Sequence, residues 1–200
     1  HENKIELYTD ERVTLIHRDS KTISTSNERT FGYDQLVLAT GSAAFVPPIR
    51  GVDKKGVFVY RTIEDLEDTL AYAKSLKGGK AAILGGGLLG LEAAKAVMDM
   101  GLEPHVIEFA PKLMPRQLDT RSSKVLQVKL ESMGIKIHLS KATNQILGNG
   151  QITGMEFGED DILEVDMLVI SAGIRPRDEL GKHCGLEMGI RGGIIVDNRM

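Results

Sequence analysis

Cysteine and long apolar runs are scarce in this sequence. The single cysteine, Cys184, excludes an internal disulfide and a Cys-x-x-Cys redox pair, and it is interpreted as a packing residue. A lone thiol is typical of a reducing compartment such as the cytoplasm. No apolar run approaches the ~18 residues that span a bilayer, and the polar N-terminal residues do not resemble a signal peptide. The sequence therefore predicts a cytoplasmic protein with no membrane segment.

Strong positive charge is also lacking. The formal net charge is −3, and no run of lysine or arginine exceeds what a solvated surface explains, so a nucleic-acid partner is not expected. The hydrophobic fraction of 42% in 200 residues is enough for a proper core. This length fits one large domain, or one domain with pieces of a second.

A glycine-rich stretch organises the chain, with the residues KAAILGGGLLGLEAA at positions 80–94. Its apolar run Ala81–Leu84 is typical of a strand buried on both faces, and glycines follow directly. Apolar residues then recur at helical spacing up to Met100, and Gly101 is a natural C-terminal stop. The stretch predicts a strand, a tight turn and a helix.

The spacing of these glycines matches a dinucleotide-binding turn. Gly85 permits the turn, Gly87 lets the backbone approach a pyrophosphate, and Gly90 lets helix and strand pack closely. The phosphates would lie at the helix N-terminus, where free N–H groups and the dipole favour negative charge. The candidate coenzyme-binding residues of the turn are Gly85, Gly86, Gly87, Leu88, Leu89 and Gly90. A glycine-rich turn that binds no ligand is the alternative.

The next predicted strand, 104–108, ends in the acid Glu108, close to the ~20 residues after the glycines at which a ribose-binding acid is expected. A carboxylate accepts hydrogen bonds from both ribose hydroxyls and repels a 2′-phosphate. The sequence therefore predicts NADH as the coenzyme. NADPH stays possible because Lys112 follows in the next loop, with Arg116 beyond it.

The first half of the chain carries three further predicted elements. Val13–His17 and Thr22–Ser26 are predicted to form an antiparallel hairpin, and Leu36–Ala39 a second fully buried strand. Pro47 and Pro48 favour an extended crossing between compact units. The helical spacing of apolar residues predicts a helix over 63–76, which Gly78 and Gly79 would end.

The second half continues the alternation of strands and helices. A helix is predicted over 118–133 and a strand over 135–139, which completes a parallel β-α-β-α-β unit. Strands flank the turn dipeptide Asn149-Gly150, and an acidic cluster after them is interpreted as a solvated loop. A buried strand over 166–173 and a short last strand over 193–197 follow. The apolar positions assigned to the 118–133 helix are Val125, Leu126, Val128, Leu130 and Met133.

Two further motifs flank the glycine-rich unit, LATG at 38–41 and ISAGIRP at 170–176. Together with GGGLLGLE at 85–92 they make the chain resemble the pyridine nucleotide–disulfide oxidoreductases, a superfamily of FAD-dependent NAD(P)H reductases, over essentially all its residues. The resemblance implies an α/β fold with a Rossmann-like parallel sheet, an inserted antiparallel β-meander and partial segments of a second, FAD-binding domain. The implied boundaries are 1–50 for an FAD segment, 51–172 for the NAD(P)H domain and 173–200 for a return to the FAD domain.

Within that superfamily, the runs HVIEFAP at 105–111 and RGGII at 191–195 most resemble the large subunits of NAD(P)H nitrite reductases. The implied function is transfer of hydride from NAD(P)H to FAD, in a parent protein that reduces nitrite to ammonia. The iron–sulfur and sirohaem groups of such a parent would lie elsewhere in it, and the isolated chain would be inactive. The first Gly-x-Gly-x-x-Gly of the family, which holds the FAD pyrophosphate, is absent from this sequence.

The resemblance also assigns residues. Glu92 would lie near the nicotinamide and the flavin, with a helix acid favoured by the dipole as its alternative. Ala39, Thr40 and Gly41 would line the FAD, and Gly173 would contact a cofactor. The implied partners are NAD(P)H and the remainder of the parent chain, with a possible homodimer. One alternative function is an NADH-dependent flavoprotein that transfers electrons to a ferredoxin, to a rubredoxin or within a nitrate reductase. The other is a non-catalytic nucleotide-sensing domain.

Overall fold

The computed structural model describes residues 5–199, a mixture of short strands and helices. In chain order the elements are β1 (Val13–His17), β2 (Thr22–Thr25), β3 (Thr30–Gly32), β4 (Ser42–Ala44), β5 (Val57–Val59), α1 (Ile63–Leu76), β6 (Lys80–Leu84), α2 (Leu88–Asp99), β7 (Glu103–Ile107), α3 (Thr120–Ser132), β8 (Lys136–His138), β9 (Gln145–Leu147), β10 (Gly154–Gly158), β11 (Asp161–Glu164), β12 (Met167–Ile170), β13 (Ile174–Pro176) and α4 (Glu179–His183).

These elements form two compact units. The larger unit is the continuous segment Ala44–Ile174, and the smaller one combines the segment up to Ala43 with the segment from Arg175 onward. Strands β4 and β13 pair in a two-stranded sheet at the two points where the chain passes from one unit to the other. The assignment of a cofactor to either unit stays a prediction.

The larger unit is built on a five-stranded sheet with the order β5-β12-β6-β7-β8, in which all neighbouring strands are parallel. Strand β6 lies in the middle, and its residues Ala81, Ala82 and Ile83 are fully buried. A parallel strand covered on both faces needs apolar residues without alternation, which explains the continuous apolar run. The predicted β-α-β-α-β unit is confirmed as β6-α2-β7-α3-β8.

The two faces of this sheet are covered by different layers. Ala81 and Ile83 belong to a core cluster with residues of α1, α2 and α3, whereas Ala82 and Leu84 pack in a second cluster with Ile146 and other residues of the 145–165 segment. Alternate residues of a strand point to opposite faces, so β6 serves both clusters. Helices thus cover one face, and the antiparallel sheet β11-β10-β9 covers the other. The predicted Rossmann-like sheet with an inserted meander is confirmed.

Helix α1 shows why these boundaries follow from the sequence. Thr62 accepts a hydrogen bond from the Asp65 N–H at 3.2 Å, and the Asp65 carboxylate accepts one from the Thr62 N–H at 2.8 Å. This reciprocal capping box satisfies two N–H groups at the helix start. At the other end Lys77 adopts a left-handed conformation with φ of 51°, and Gly78 and Gly79 follow with positive φ. The helix predicted over 63–76 is confirmed.

The smaller unit contains a three-stranded antiparallel sheet in the order β1-β2-β3. The predicted hairpin corresponds to β1 and β2, which pair antiparallel from His17↔Thr22 onward. The third strand, Thr30–Gly32, was not predicted because three residues ending in glycine give no recognisable alternation.

The prediction of a fully buried strand at Leu36–Ala39 is wrong. No strand is formed there, and Val37 is 86% exposed. An apolar run becomes a buried strand only when neighbouring strands supply hydrogen bonds and other elements cover both faces. Among the described residues no strand lies beside this run; instead Leu36, Val37 and Leu38 line a cavity of about 1180 Å³.

Two further predictions need correction. The last strand over 193–197 is reduced to a single antiparallel bridge between Met188 and Ile194. In α3, only Leu126 and Leu130 pack against the core, while Val125 is 67% exposed and Val128 and Met133 are also exposed. Leu126 and Leu130 are four residues apart and lie on the helix face that packs against the core. Apolar residues on the other faces of the helix are therefore exposed to solvent.

Candidate functional site

The glycine-rich turn joins β6 to α2, and two of its glycines are required by backbone contacts. An added Cβ on Gly90 would lie 1.9 Å from the Gly85 carbonyl oxygen, and one on Gly85 would lie 2.4 Å from the Ser171 carbonyl oxygen. Gly85 also has a φ of 122°, which side chains rarely tolerate. The turn therefore brings the first helical turn directly against the end of the sheet.

Gly87 differs from these two glycines because its surroundings are open. An added Cβ on Gly87 would meet no atom within 4 Å, and its φ of −84° is ordinary. Gly87 is the N-cap of α2 and has no side chain to accept from the first helical N–H groups. Helices α1 and α3 are capped by the side chains of Thr62 and Asp119. The start of α2 alone among these three helices presents uncapped N–H groups, which is the arrangement that binds anions.

Glu108 follows the last residue of β7, beside the turn. Its carboxylate accepts hydrogen bonds from the Gly86 N–H at 2.7 Å and from the Ala110 N–H at 2.8 Å. Its own N–H donates to the His138 carbonyl oxygen at 2.8 Å. The acid predicted for the ribose is therefore half-exposed at the carboxyl end of the strand next to β6, and it is fixed in place by backbone groups.

Lys112 is engaged within its own loop. Its ammonium donates to the Leu118 carbonyl oxygen at 2.6 Å. The N–H of Ser122 holds the pKa of Asp119 below its ordinary value, and the charge on Lys112 contributes a smaller effect in the same direction. The nearer of the two predicted cations after Glu108 is thus already hydrogen-bonded within the loop before α3.

The remaining predicted residues lie in different places. Glu92 is exposed and is the fifth residue of α2, beyond its first turn, where the helix dipole acts less strongly. Gly173 follows β12 with a φ of 113° in open surroundings, at the same carboxyl edge of the sheet as Gly85 and Glu108. The structure thus gathers the glycine turn, Glu108, Lys112 and Gly173 at one edge of the larger unit.

Ala39, Thr40 and Gly41 belong to the smaller unit. Ala39 and Thr40 line the same cavity as Leu36 and its neighbours. The Thr40 hydroxyl donates to the Arg177 carbonyl oxygen, and the Arg177 N–H donates to the Gly41 carbonyl oxygen at 3.0 Å. These contacts fix the LATG segment against the chain that follows β13.

Sequence reasoning missed a histidine pair behind Glu108. His105 Nε2 lies 2.8 Å from a Glu103 carboxylate oxygen, and His105 Nδ1 lies 3.0 Å from His138 Nε2. Glu103 accepts only when the His105 Nε2 is protonated, which leaves Nδ1 to accept from His138. Two neutral rings satisfy this chain. No motif signalled it, because the two histidines are brought together only by the pairing of β7 with β8.

This pair predicts a loss of stability in mild acid. Burial lowers the pKa of His138, and the charges of His105 and Lys141 lower it further, against a smaller opposite effect of Asp161. Below the ordinary value of about 6.5, the unfolded chain binds the proton more readily than the folded one, so stability falls as pH drops from there toward the lowered pKa. Urea unfolding from pH 8 to 5 should show this fall in the wild type and a smaller one in His138→Gln.

The exposed His17 provides the matched control, since His17→Gln should keep the wild-type pH dependence. Glu103 acts in a lower window: the hydrogen bond from His105 lowers its pKa, so its contribution is lost only below about 4.5. An unchanged pH dependence in His138→Gln would show that the pair does not couple folding to protonation.

The described part of the chain has neither a metal-binding cluster nor a membrane-crossing helix. Residues 5–199 contain no group of three or more His, Cys, Asp or Glu side chains placed to hold a metal ion. Within the same residues, no helix combines the length and apolar character needed to cross a bilayer.

Comparison with known proteins identifies the family. A family model described as pyridine nucleotide-disulphide oxidoreductase matches residues 1–200. The nitrite reductase (NADH) large subunit of Escherichia coli (strain K12) is 48% identical over 97% of this chain, which spans 23% of that protein. The assimilatory nitrate reductase electron transfer subunit of Bacillus subtilis (strain 168) is 39% identical over 98% of this chain and 25% of its own length.

A solved structure of a related reductase has a similar fold. A ferredoxin reductase from Rhodopseudomonas palustris superposes with a TM-score of 0.90 at 27% identity, and the match covers 98% of this chain and 47% of that one. The chain spans about a quarter of the length of the two sequence relatives. On the match of the family model across every residue, the chain belongs to the pyridine nucleotide-disulphide oxidoreductase family.

Proposed function

We propose that the unit Ala44–Ile174 binds NADH at its glycine turn, and that the full-length protein passes the hydride to an FAD held with the help of the smaller unit. The observation that carries this proposal is the uncapped start of α2, open at Gly87 and flanked by the Glu108 carboxylate. A pyrophosphate fits the first feature and an unphosphorylated ribose fits the second. Residues 51–172 as the NAD(P)H domain, with FAD segments at 1–50 and 173–200, are part of the proposal.

The roles of the individual groups follow from their chemistry. The N–H groups of Leu88 and Leu89, at the start of α2, would bind the pyrophosphate, and Gly87 would let it approach. Each oxygen of Glu108 accepts one backbone hydrogen bond and keeps lone pairs for the ribose hydroxyls. A 2′-phosphate would meet this carboxylate, while Lys112 is already held by Leu118. The site therefore favours NADH over NADPH.

Hydride transfer needs position and electrostatics from the protein rather than a proton donor. FAD, when bound, supplies the hydride acceptor. Ala39 and Thr40 are small residues that line a cavity, which fits close approach by a flat ring. Gly41 follows them, and an added Cβ on it would meet nothing within 4 Å. We assign Glu92 to the nicotinamide side of the site and Gly173 to the coenzyme edge of the sheet.

Nitrite is the proposed final electron acceptor in the full-length protein. Its support is the 48% identity to a protein named as a nitrite reductase large subunit. The residues of this chain do not fit an iron–sulfur cluster or a sirohaem, because they include a single cysteine and clusters need several thiolates. Reduction of nitrite would therefore take place elsewhere in the parent. A nitrate reductase electron-transfer flavoprotein is the second candidate, supported by the 39% identity to such a subunit.

Separate titrations of the purified chain with NADH and FAD test the proposed division of cofactors. We expect saturable binding of NADH, because the glycine fingerprint at 85–90 is complete, and no tight binding of FAD, because the sequence contains no second such fingerprint. Isothermal titration calorimetry gives both affinities. Sub-micromolar FAD binding by this chain would contradict the assignment, and failure to bind NADH would remove the proposed function.

The compartment and the oligomeric state complete the proposal. We place the protein in the cytoplasm on the strength of its single cysteine, which is typical of a reducing compartment. We also propose a homodimer for the full-length protein, which light scattering on the purified protein would test directly.

A further inference from the structure

The middle glycine of the turn, Gly86, is held from two sides by the segment that follows β7. Its N–H donates to the Glu108 carboxylate at 2.7 Å, and its carbonyl oxygen accepts from the Met114 N–H at 2.9 Å. An added Cβ on Gly86 would lie 2.7 Å from the Leu113 side chain and 3.1 Å from the Glu108 Cβ. The Gly-x-Gly-x-x-Gly pattern allows any residue at position 86. The contacts of Gly86 in the structure leave no room for a side chain there.

The segment that holds Gly86 is itself anchored. Leu113 is fully buried, and its carbonyl oxygen accepts from the buried Ser123 hydroxyl of α3 at 2.9 Å. Glu108 is braced by the Ala110 N–H, and Lys112 by the Leu118 carbonyl oxygen. The turn that faces the pyrophosphate is therefore fixed, through Gly86, to a segment whose own position is set by α3 and the core.

The hydrogen bond that Gly86 donates to Glu108 is charge-assisted. An ionised carboxylate accepting from a backbone N–H makes a short, charge-assisted bond, and 2.7 Å falls in that range. The oxygen that accepts from Gly86 keeps a lone pair for a ligand. One side chain thus reaches both parts of the coenzyme site.

We propose that Glu108 is a positioning residue for the pyrophosphate turn, acting through Gly86, in addition to any contact it makes with the ribose. The inference rests on the proposed function, since it concerns the same coenzyme site. If Glu108 acts only on the adenosine ribose, a ligand without that ribose should not sense its replacement. If Glu108 fixes the turn, such a ligand should also bind more weakly.

Reduced nicotinamide mononucleotide is the probe, because it has a phosphate but no adenosine. In Glu108→Gln, the amide cannot accept from both the Gly86 and the Ala110 N–H groups, since one of its two terminal atoms is a donor. We expect its affinity for the mononucleotide to fall by about tenfold relative to wild type, and its affinity for NADH by at least as much. The matched control is Glu67→Gln, an exposed acid of α1, which should bind both ligands like wild type.

The outcomes separate the two proposals. Loss of NADH affinity with unchanged mononucleotide affinity in Glu108→Gln would overturn the positioning role and leave the ribose role standing. Wild-type binding of NADH with no detectable binding of the mononucleotide at millimolar concentration would also overturn it, because a fixed turn should hold a phosphate alone. No binding of NADH by wild type would instead remove the proposed function. Should Glu108→Gln not fold, Glu108→Asp, which keeps the charge but is one methylene shorter, is measured the same way.

Discussion

Gly87→Val should leave a folded chain that no longer binds NADH. The side chain would enter space in which no protein atom lies within 4 Å of the Cβ, so the fold has room for it. The φ of −84° is compatible with valine. The two methyl groups would occupy the place where we propose that the pyrophosphate approaches the start of α2. We expect the affinity for NADH to fall by at least ~100-fold, about 2.8 kcal/mol, in calorimetric titrations.

Two matched variants separate this effect from damage to the fold. Gly158→Val, at the end of β10, makes the same change in equally open surroundings and should retain NADH binding. Gly90→Ala should instead lose stability, because its Cβ would lie 1.9 Å from a backbone oxygen that cannot move aside. Its thermal midpoint should drop clearly below that of Gly87→Val. Retained NADH binding by a folded Gly87→Val chain would refute the pyrophosphate assignment.

Glu108→Arg should reverse the discrimination between the two coenzymes. Arginine removes the carboxylate that we propose accepts from the ribose, and it offers a planar fork to a 2′-phosphate. It also removes the bond to Gly86, so both affinities should fall in absolute terms. The informative quantity is therefore the ratio of the NADH and NADPH dissociation constants. We expect this ratio to move toward NADPH by at least ~10-fold, about 1.4 kcal/mol.

The same titrations on Glu67→Arg provide the control for a change of two charges on the same unit. That variant should leave the ratio unchanged, since long-range effects of exposed charges are screened by salt. A wild-type chain that already prefers NADPH would contradict the assignment of Glu108. It would also indicate that Lys112 leaves the Leu118 carbonyl oxygen when a phosphate is present.

The glycine turn between β6 and α2 was predictable because backbone geometry dictates its residues. Gly85 and Gly90 are glycines since a Cβ would collide with backbone atoms, and such constraints leave a fixed spacing in the sequence. The continuous apolar run of β6 follows equally from burial on both faces. The requirement at Gly86 was invisible, because it depends on where the buried Leu113 packs, and packing between distant segments leaves no local pattern.

The wrong and missed secondary-structure predictions also depend on contacts between distant segments, which leave no local pattern in the sequence. Leu36–Ala39 has the composition of a buried strand, but composition does not supply the neighbouring strands that would bury it. Strand β5 was missed because Val57–Val59 is only three residues long and is defined by its parallel pairing with β12. In α3 the apolar residues lie on more than one helix face. Periodicity alone therefore could not show that Leu126 and Leu130, rather than Val125 and Val128, face the core.

The connectivity of the larger unit has a consequence for protein engineering. The Phe45 N–H donates to the Gly173 carbonyl oxygen at 2.9 Å, so the two ends of the segment Ala44–Ile174 lie side by side. Domains whose ends are adjacent tolerate insertion into other chains and circular permutation, because little loop has to be closed. We therefore expect that the segment 44–174 can be transferred between proteins as a unit. The segment could replace the corresponding segment of a relative with another coenzyme preference through two exchange points. For circular permutation, a few residues would be enough to join the two ends of the segment.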